Sequence, residues 1–319
     1  MSNSTLPFRF EPYTADHETA WNDFVARSPN ATFLFDRGFM GYHADRFADA
    51  SLLIHQGEHL VALLPAHRVG SQLISHGGLT YGGLLLGKHG GAVTVLHLLQ
   101  ALCGHLRAEG VSSLDYKTIP AIYHQRPCEE DRYALWRCGA ELVRRDLISA
   151  ISPQQSAQKS RRRITKVKRC TPGLVITEDD AWGEYWALLA AQLQSRHGCD
   201  PTHSEAELRL LAGRFPQRIK LLAARLDGSM VAGLVLFDTP NVLHAQYMAA
   251  NAAAYQISAH RQVIETAILQ AQEQQKWFDF GNSNEDQGRV LNEGLVFFKE
   301  GFGATSTVQD FYRLNLGPH

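Results

Sequence analysis

A single lysine sits inside an apolar, aromatic run. The stretch Asn292-Glu293-Gly294-Leu295-Val296-Phe297-Phe298-Lys299-Glu300-Gly301-Phe302-Gly303 gives Lys299 two phenylalanines on one side and two nearby glycines on the other. A solvated lysine ordinarily has polar neighbours. This one either snorkels its ammonium past a core face or turns it into a pocket. Upstream, Trp277-Phe278-Asp279-Phe280-Gly281 is an apolar strand with an acid at its centre. It ends in glycine and leads into Asn282, Ser283 and Asn284. Such short polar side chains fit a substrate-binding turn or a helix N-cap equally well.

Three more side chains are placed for proton handling. His244 and Tyr247 fall on one strand, where Tyr247 can orient an acceptor or supply a proton. His203, in a loop between two helices, can act as a base with an ordinary pKa of ~6.5. Arg196 and Arg162 have the chemistry to hold the phosphate of a donor or of a nucleotide-linked acceptor. No Ser-His-Asp or Cys-His arrangement is evident, so direct transfer is expected rather than a covalent intermediate.

The elements that must position these residues repeat. Leu52–Leu64 is a pair of apolar strands about a polar turn at Gly57, and Leu221–Leu234 has the same form about Asp227-Gly228. A further strand follows each hairpin, then an amphipathic helix (about Ala92–Glu109 and about Ala259–Gln275), then a short strand with a central acid, Asp115 or Asp279. Each half also opens with an amphipathic helix, about His17–Arg27 and about Ala181–Arg196. The order predicts a mixed α/β fold of two related halves, residues 1–151 and 152–319. Their sheets are mostly antiparallel and flanked by helices.

Between the halves lies Lys159–Arg169, with seven Lys or Arg in eleven residues and no acid, read as a short basic helix. The remaining 24 basic residues face 32 acidic ones, so a net charge of −1 hides a local cationic patch on an acidic protein. That patch is an address for phosphates, or simply a solvated helix face.

Three segments resemble the Fem-type aminoacyl ligases and their shorter GNAT-fold relatives. They are F-D-F-G-N-S followed by L-N-E-G-L-V-F-F-K-E-G-F-G, the basic R-R-R-I-T-K-V-K-R-C-T-P-G-L-V-I, and the early Thr32-Phe33-Leu34-Phe35 with Gly38-Phe39. The resemblance implies two tandem GNAT-like domains, with the active site in the second. It also implies transfer of an acyl or aminoacyl group to an amine, with acyl-CoA or aminoacyl-tRNA as donor. The best-known members of the family extend the peptide of cell-wall precursors. By the match, Lys299 takes the place of the family lysine near the reacting carbonyl, with Phe298 beside it. One departure bears on the donor. Ordinary GNAT enzymes cradle the CoA pyrophosphate in a glycine-rich turn before a helix. Here Tyr247–His260 contains Gln256 but no glycine, which leaves tRNA as an alternative donor.

The expected acceptor is therefore an amine on a small molecule, peptide or nucleotide-sugar. The rivals are an acetyl-CoA-dependent N-acetyltransferase of a small molecule and a non-catalytic phosphate- or RNA-binding module. Five dispersed cysteines without a C-x-x-C pair argue against a disulfide framework, and the histidine spacing argues against a metal site. The start of the chain lacks signal-peptide character and no apolar run is long enough to span a bilayer. A cytoplasmic protein without membrane insertion is expected.

Overall fold

The computed structural model describes residues 7–88, 91–155, 171–198, 200–201 and 203–317. The chain forms two compact units. Unit 1 takes residues 1–146, 286–289 and 308–319, and unit 2 takes 147–285 and 290–307.

Unit 1 begins with β1 (Phe8–Pro12), α1 (Glu18–Arg27) and the single turn α2 (Arg37–Met40). The hairpin read around Gly57 is β2 (Leu52–Gln56) and β3 (His59–Leu64). After β4 (His67–Val69), β5 (Gln72–Ile74) and β6 (Leu85–Leu86) come α3 (Ala92–Ala108), β7 (Ser113–Lys117), α4 (Glu130–Arg137) and β8 (Glu141–Ile151). Helix α3 forms because Val95, Leu98, Leu99, Leu102 and Leu106 recur at helical spacing, and all five are buried against Leu52, Ile54, Leu64 and Leu114.

Unit 2 runs β9 (Leu174–Asp179), α5 (Trp182–His197), α6 (Glu205–Arg214), β10 (Ile219–Leu226), β11 (Ser229–Asp238), β12 (Val242–Ala250), the short α7 (Ala252–Gln256) and α8 (Ala259–Glu273). Then come β13 (Trp277–Asn282), the hairpin β14 (Asn284–Glu285) and β15 (Val290–Leu291), α9 (Glu293–Glu300) and β16 (Thr305–Asn315). Its sheet has the order β9-β10-β11-β12-β13, with the end of β8 on the far side of β13. The first four strands pair antiparallel; β12 and β13 are parallel. Asp227 and Gly228 both take positive φ at the β10–β11 turn, the geometry that matches the twist of a tight hairpin. Val263, Ile264, Ala267, Ile268 and Ala271 bury one face of α8 against this sheet. On its other face, α5 presses Tyr185 against Gly233 of β11, where a Cβ would lie 2.5 Å from the ring.

Sequence order and spatial order part at β16. Its residues from Val308 on belong to unit 1, where Phe311–Asn315 pair antiparallel with Lys117–Ser113 of β7. The buried carboxylate of Asp310 there binds Arg132 and Arg145 at 2.5–2.6 Å.

Candidate active site

Strands β12 and β13 run parallel for only three residue pairs, from Val242↔Trp277 to His244↔Asp279. Past that point β13 turns at Gly281, with φ +73°, and Asn282 joins β8 at Ile148. Strand β12 instead stays with β11 as far as Ala250. Two parallel strands that part leave a crevice beyond their carboxyl ends, the usual place for a ligand in such sheets.

At the apex of the crevice, His244 Nδ1 lies 2.9 Å from Asp279 Oδ2. A carboxylate only accepts, so the imidazole donates from Nδ1. The other Asp279 oxygen accepts from Gly281 N at 2.7 Å, which shapes the turn where the strands part. Asp279 is 2% exposed.

Lys299, on α9, reaches the same turn from the opposite side. Its Nζ donates to Gly281 O at 2.9 Å, Asn282 O at 2.6 Å and Ser283 Oγ at 2.8 Å, and the side chain is 1% exposed. An ammonium has three N–H donors, and all three are taken. The expectation that Lys299 points into a cavity beside a reacting carbonyl is therefore replaced by a different geometry: the lysine locks α9 to the end of β13. Burial pushes its pKa down to about 8, partly opposed by the Asp279 charge. Ser283, itself buried, and Asn282 face this lysine through Oγ and a backbone carbonyl respectively.

Along the upper part of β12 the register slips. Val235 faces Tyr247, but the next residue, Leu236, faces Ala245, so Gln246 has no partner on β11. A bulge of this kind frees backbone groups from the ladder and re-aims the side chains around it. Next to the bulge, the Tyr247 hydroxyl meets His203 Nδ1 at 2.5 Å, with the rings edge to face. His203 is held there by its neighbours. Ser204 caps α6 in a reciprocal box with Glu207, and Trp186 Nε1 donates to the His203 carbonyl. The structure thus joins Tyr247 with His203, and His244 with Asp279. Arg162 and the basic segment Lys159–Arg169 lie outside the described residues, as does the side chain of Arg196.

Between β12, α8 and α9 unit 2 holds a cavity of about 580 Å³, with Met248, Ala250, His260, Arg261 and Phe298 in its wall. Phe298 serves as apolar lining and packs edge-on against Phe302. The turn before α8 has no glycine, and Ser258 there adopts φ +58°. The loop is filled by α7, whose first turn is capped by Asn251 Oδ1 on Ala254 N.

Two parts of the crevice escaped sequence reading. The bulge at Gln246 leaves no mark in composition or periodicity. Gln192, on α5, accepts from Ala250 N at 2.7 Å and donates to Met248 O at 3.3 Å. Its only sequence signal is a polar residue on the sheet-facing side of an amphipathic helix.

Among the described residues, no helix is long and apolar enough to cross a membrane, and no group of three His, Cys, Asp or Glu side chains is arranged to hold a metal ion. Residues 154–287 match the family described as acetyltransferase (GNAT) domain. No curated protein matches the chain by sequence. Among solved structures, FemX shares the fold with a TM-score of 0.66 at 11% identity, over 95% of this chain and 96% of its own. L-PGS from Bacillus licheniformis aligns with a TM-score of 0.58 at 11% identity, over 97% and 94%. A tandem GNAT protein from the clavulanic acid biosynthesis pathway aligns with 0.54 at 11% identity, over 98% and 100%. The matched acetyltransferase (GNAT) domain of residues 154–287 includes both parted strands, β12 and β13, and over nearly its whole length the chain shares its fold with FemX, L-PGS and the tandem GNAT protein.

Proposed function

We propose that the chain moves an acyl or aminoacyl group from an activated ester or thioester onto an amine, and that the β12/β13 crevice of unit 2 is where transfer takes place. The observation that carries this reading is the Tyr247–His203 hydrogen bond set beside the bulge at Gln246. The amine nitrogen bonds to the carbonyl carbon, and the oxygen or sulfur of the donor leaves with the electron pair of the broken bond. The amine's proton passes to a base, for which His203 is the candidate. The leaving group takes a proton from the Tyr247 hydroxyl. The N–H freed at the bulge is the candidate donor to the oxyanion. Lys299 serves by fixing the turn at Gly281, and Phe298 by lining the donor cavity. His244, hydrogen-bonded to Asp279, orients substrate at the apex.

For the acceptor, the Fem-like fold and the segment resemblances favour an amine on a cell-envelope precursor, a sugar or a peptide, modified in the cytoplasm. Arg162, Arg196 and the Lys159–Arg169 segment are the candidates for its phosphates, or for those of tRNA. The family of residues 154–287, described as an acetyltransferase domain, favours acetyl-CoA as the rival donor to aminoacyl-tRNA. We assign residues 1–151 and 152–319 to the two tandem halves.

The test is transfer of labelled acetyl groups from acetyl-CoA, or of labelled aminoacyl groups from charged tRNA, to a panel of amines. The same assay is run on Tyr247→Phe and His203→Ala. Product from either donor, cut sharply in both variants, supports the reading. No product from any donor, together with salt-dependent RNA binding, replaces it with a binding module.

A further inference from the structure

The edge of β12 that β13 leaves behind is already taken. In an antiparallel pair, hydrogen-bonded and non-bonded residue pairs alternate. Asn251 N donates to Val231 O, so the pairs Ala250↔Ala232 and Met248↔Leu234 are non-bonded ones. Their backbone groups point away from β11, toward the side where β13 no longer runs. An exposed edge of this kind pairs with any extended chain that brings an amide. Here Ala250 N–H and Met248 C=O both meet the carboxamide of Gln192, a donor and an acceptor on one planar group. That is what a peptide-like amide would present. Gln192, Met248 and Ala250 also line the 580 Å³ cavity, so the same groups face the volume a ligand would enter.

Building on the reading of this crevice as the donor site, we infer that Gln192 is an internal stand-in for a donor's amide and decides which class of donor the site admits. The pantetheine arm of CoA carries two secondary amides. It can lie along β12 only by displacing Gln192 from Ala250 and Met248. The ester that joins an amino acid to the 3′ end of tRNA carries no such arm and enters with Gln192 in place. The side chain thereby weakens CoA-type donors and leaves aminoacyl esters untouched.

The experiment compares the wild-type protein with Gln192→Ala by calorimetric titration, using CoA and, as an armless probe, adenosine 3′,5′-bisphosphate. Hydrogen exchange at the Ala250 amide is followed in parallel. Gln192→Ala is expected to bind CoA about tenfold more tightly, the equivalent of one or two net hydrogen bonds no longer displaced. The armless nucleotide should bind both forms alike. The Ala250 N–H should exchange faster in the variant and regain protection when CoA is added. Equal or weaker CoA binding by Gln192→Ala overturns the inference, as does an equal gain for both probes. Should the alanine variant fail to fold, Gln192→Leu keeps the bulk of the side chain and gives the same comparison. Titration reads binding alone, so a protein that transfers nothing would sink the proposed function and still report on Gln192.

Discussion

All three N–H groups of the Lys299 ammonium are committed, and its position separates two roles. As a lock on the β13 turn, it leaves Gly281 O, Asn282 O and Ser283 Oγ without their donor when replaced by methionine. Each buried group left unmatched costs about 1–3 kcal/mol. Lys299→Met should therefore lower the urea midpoint along with the transfer rate. Unchanged stability with a hundredfold slower rate would instead place the ammonium at the reacting carbonyl. Titration gives a second handle. Lys299 falls from the ordinary 10.5 to about 8 in the folded protein. Below about pH 8 it is charged in both states, and the burial penalty applies in full. Between about 8 and about 10.5 the unfolded chain holds a proton that the folded one has released, so stability rises with pH. The gain from this group is about 3 kcal/mol across that window, and the methionine variant should lack it. Half-buried Lys117 in unit 1 is also held to about 8 by desolvation, so the comparison is wild type against variant rather than one curve alone. For the Tyr247–His203 pair, Tyr247→Phe should cut the turnover number about a hundredfold with little change in KM. A KM effect alone would reduce the tyrosine to a binding contact.

Strands and helices divide into those a reader of the sequence can see and those only packing decides. The two hairpins announce themselves through Gly57 and Asp227-Gly228, and α3 and α8 through apolar residues at helical spacing. The parting of β12 from β13 was hinted at by Gly281 and the polar run after it. What could not be read is how far a strand follows its neighbour, because that depends on register. The bulge at Gln246 and the grip of Gln192 on the β12 edge are products of pairing, not of local propensity. Lys299 was legible as an inward lysine from its apolar neighbours, but its partners were not, since two of the three are backbone carbonyls. At this scale Gly233 offers a clean test. A methyl group there would lie 2.5 Å from the Tyr185 ring, which is fully buried. Gly233→Ala should cost about 1–3 kcal/mol in urea denaturation, while the same change at exposed Gly104, where nothing lies within 4 Å, should stabilise α3 by up to about 1 kcal/mol.

At the level of the whole chain, the order of elements read from the sequence repeats, yet the compact units do not follow it end to end. Unit 1 needs Val308–Leu316, because β7 pairs with this strand and Arg132 and Arg145 both close on Asp310. Without it the β7 backbone groups that face this strand lose their partners, Arg132 and Arg145 lose Asp310, and Leu314 and Leu316 vanish from the core. A fragment of residues 1–151 should therefore be molten or insoluble by near-UV circular dichroism. Addition of a peptide spanning 305–317 should restore a cooperative transition. A fragment that folds by itself would make the returning strand ornamental.

That strand also sets a timetable. On a ribosome the polypeptide emerges from its N-terminal side, and domains generally fold as they appear. Here the portion made first must wait, its sheet unfinished, until more than 150 further residues have been synthesised and residue 308 clears the exit tunnel. The later-made portion can close before it. Of the two units, the one begun first is thus completed last, and it stays exposed to chaperones and proteases until its returning strand has been made.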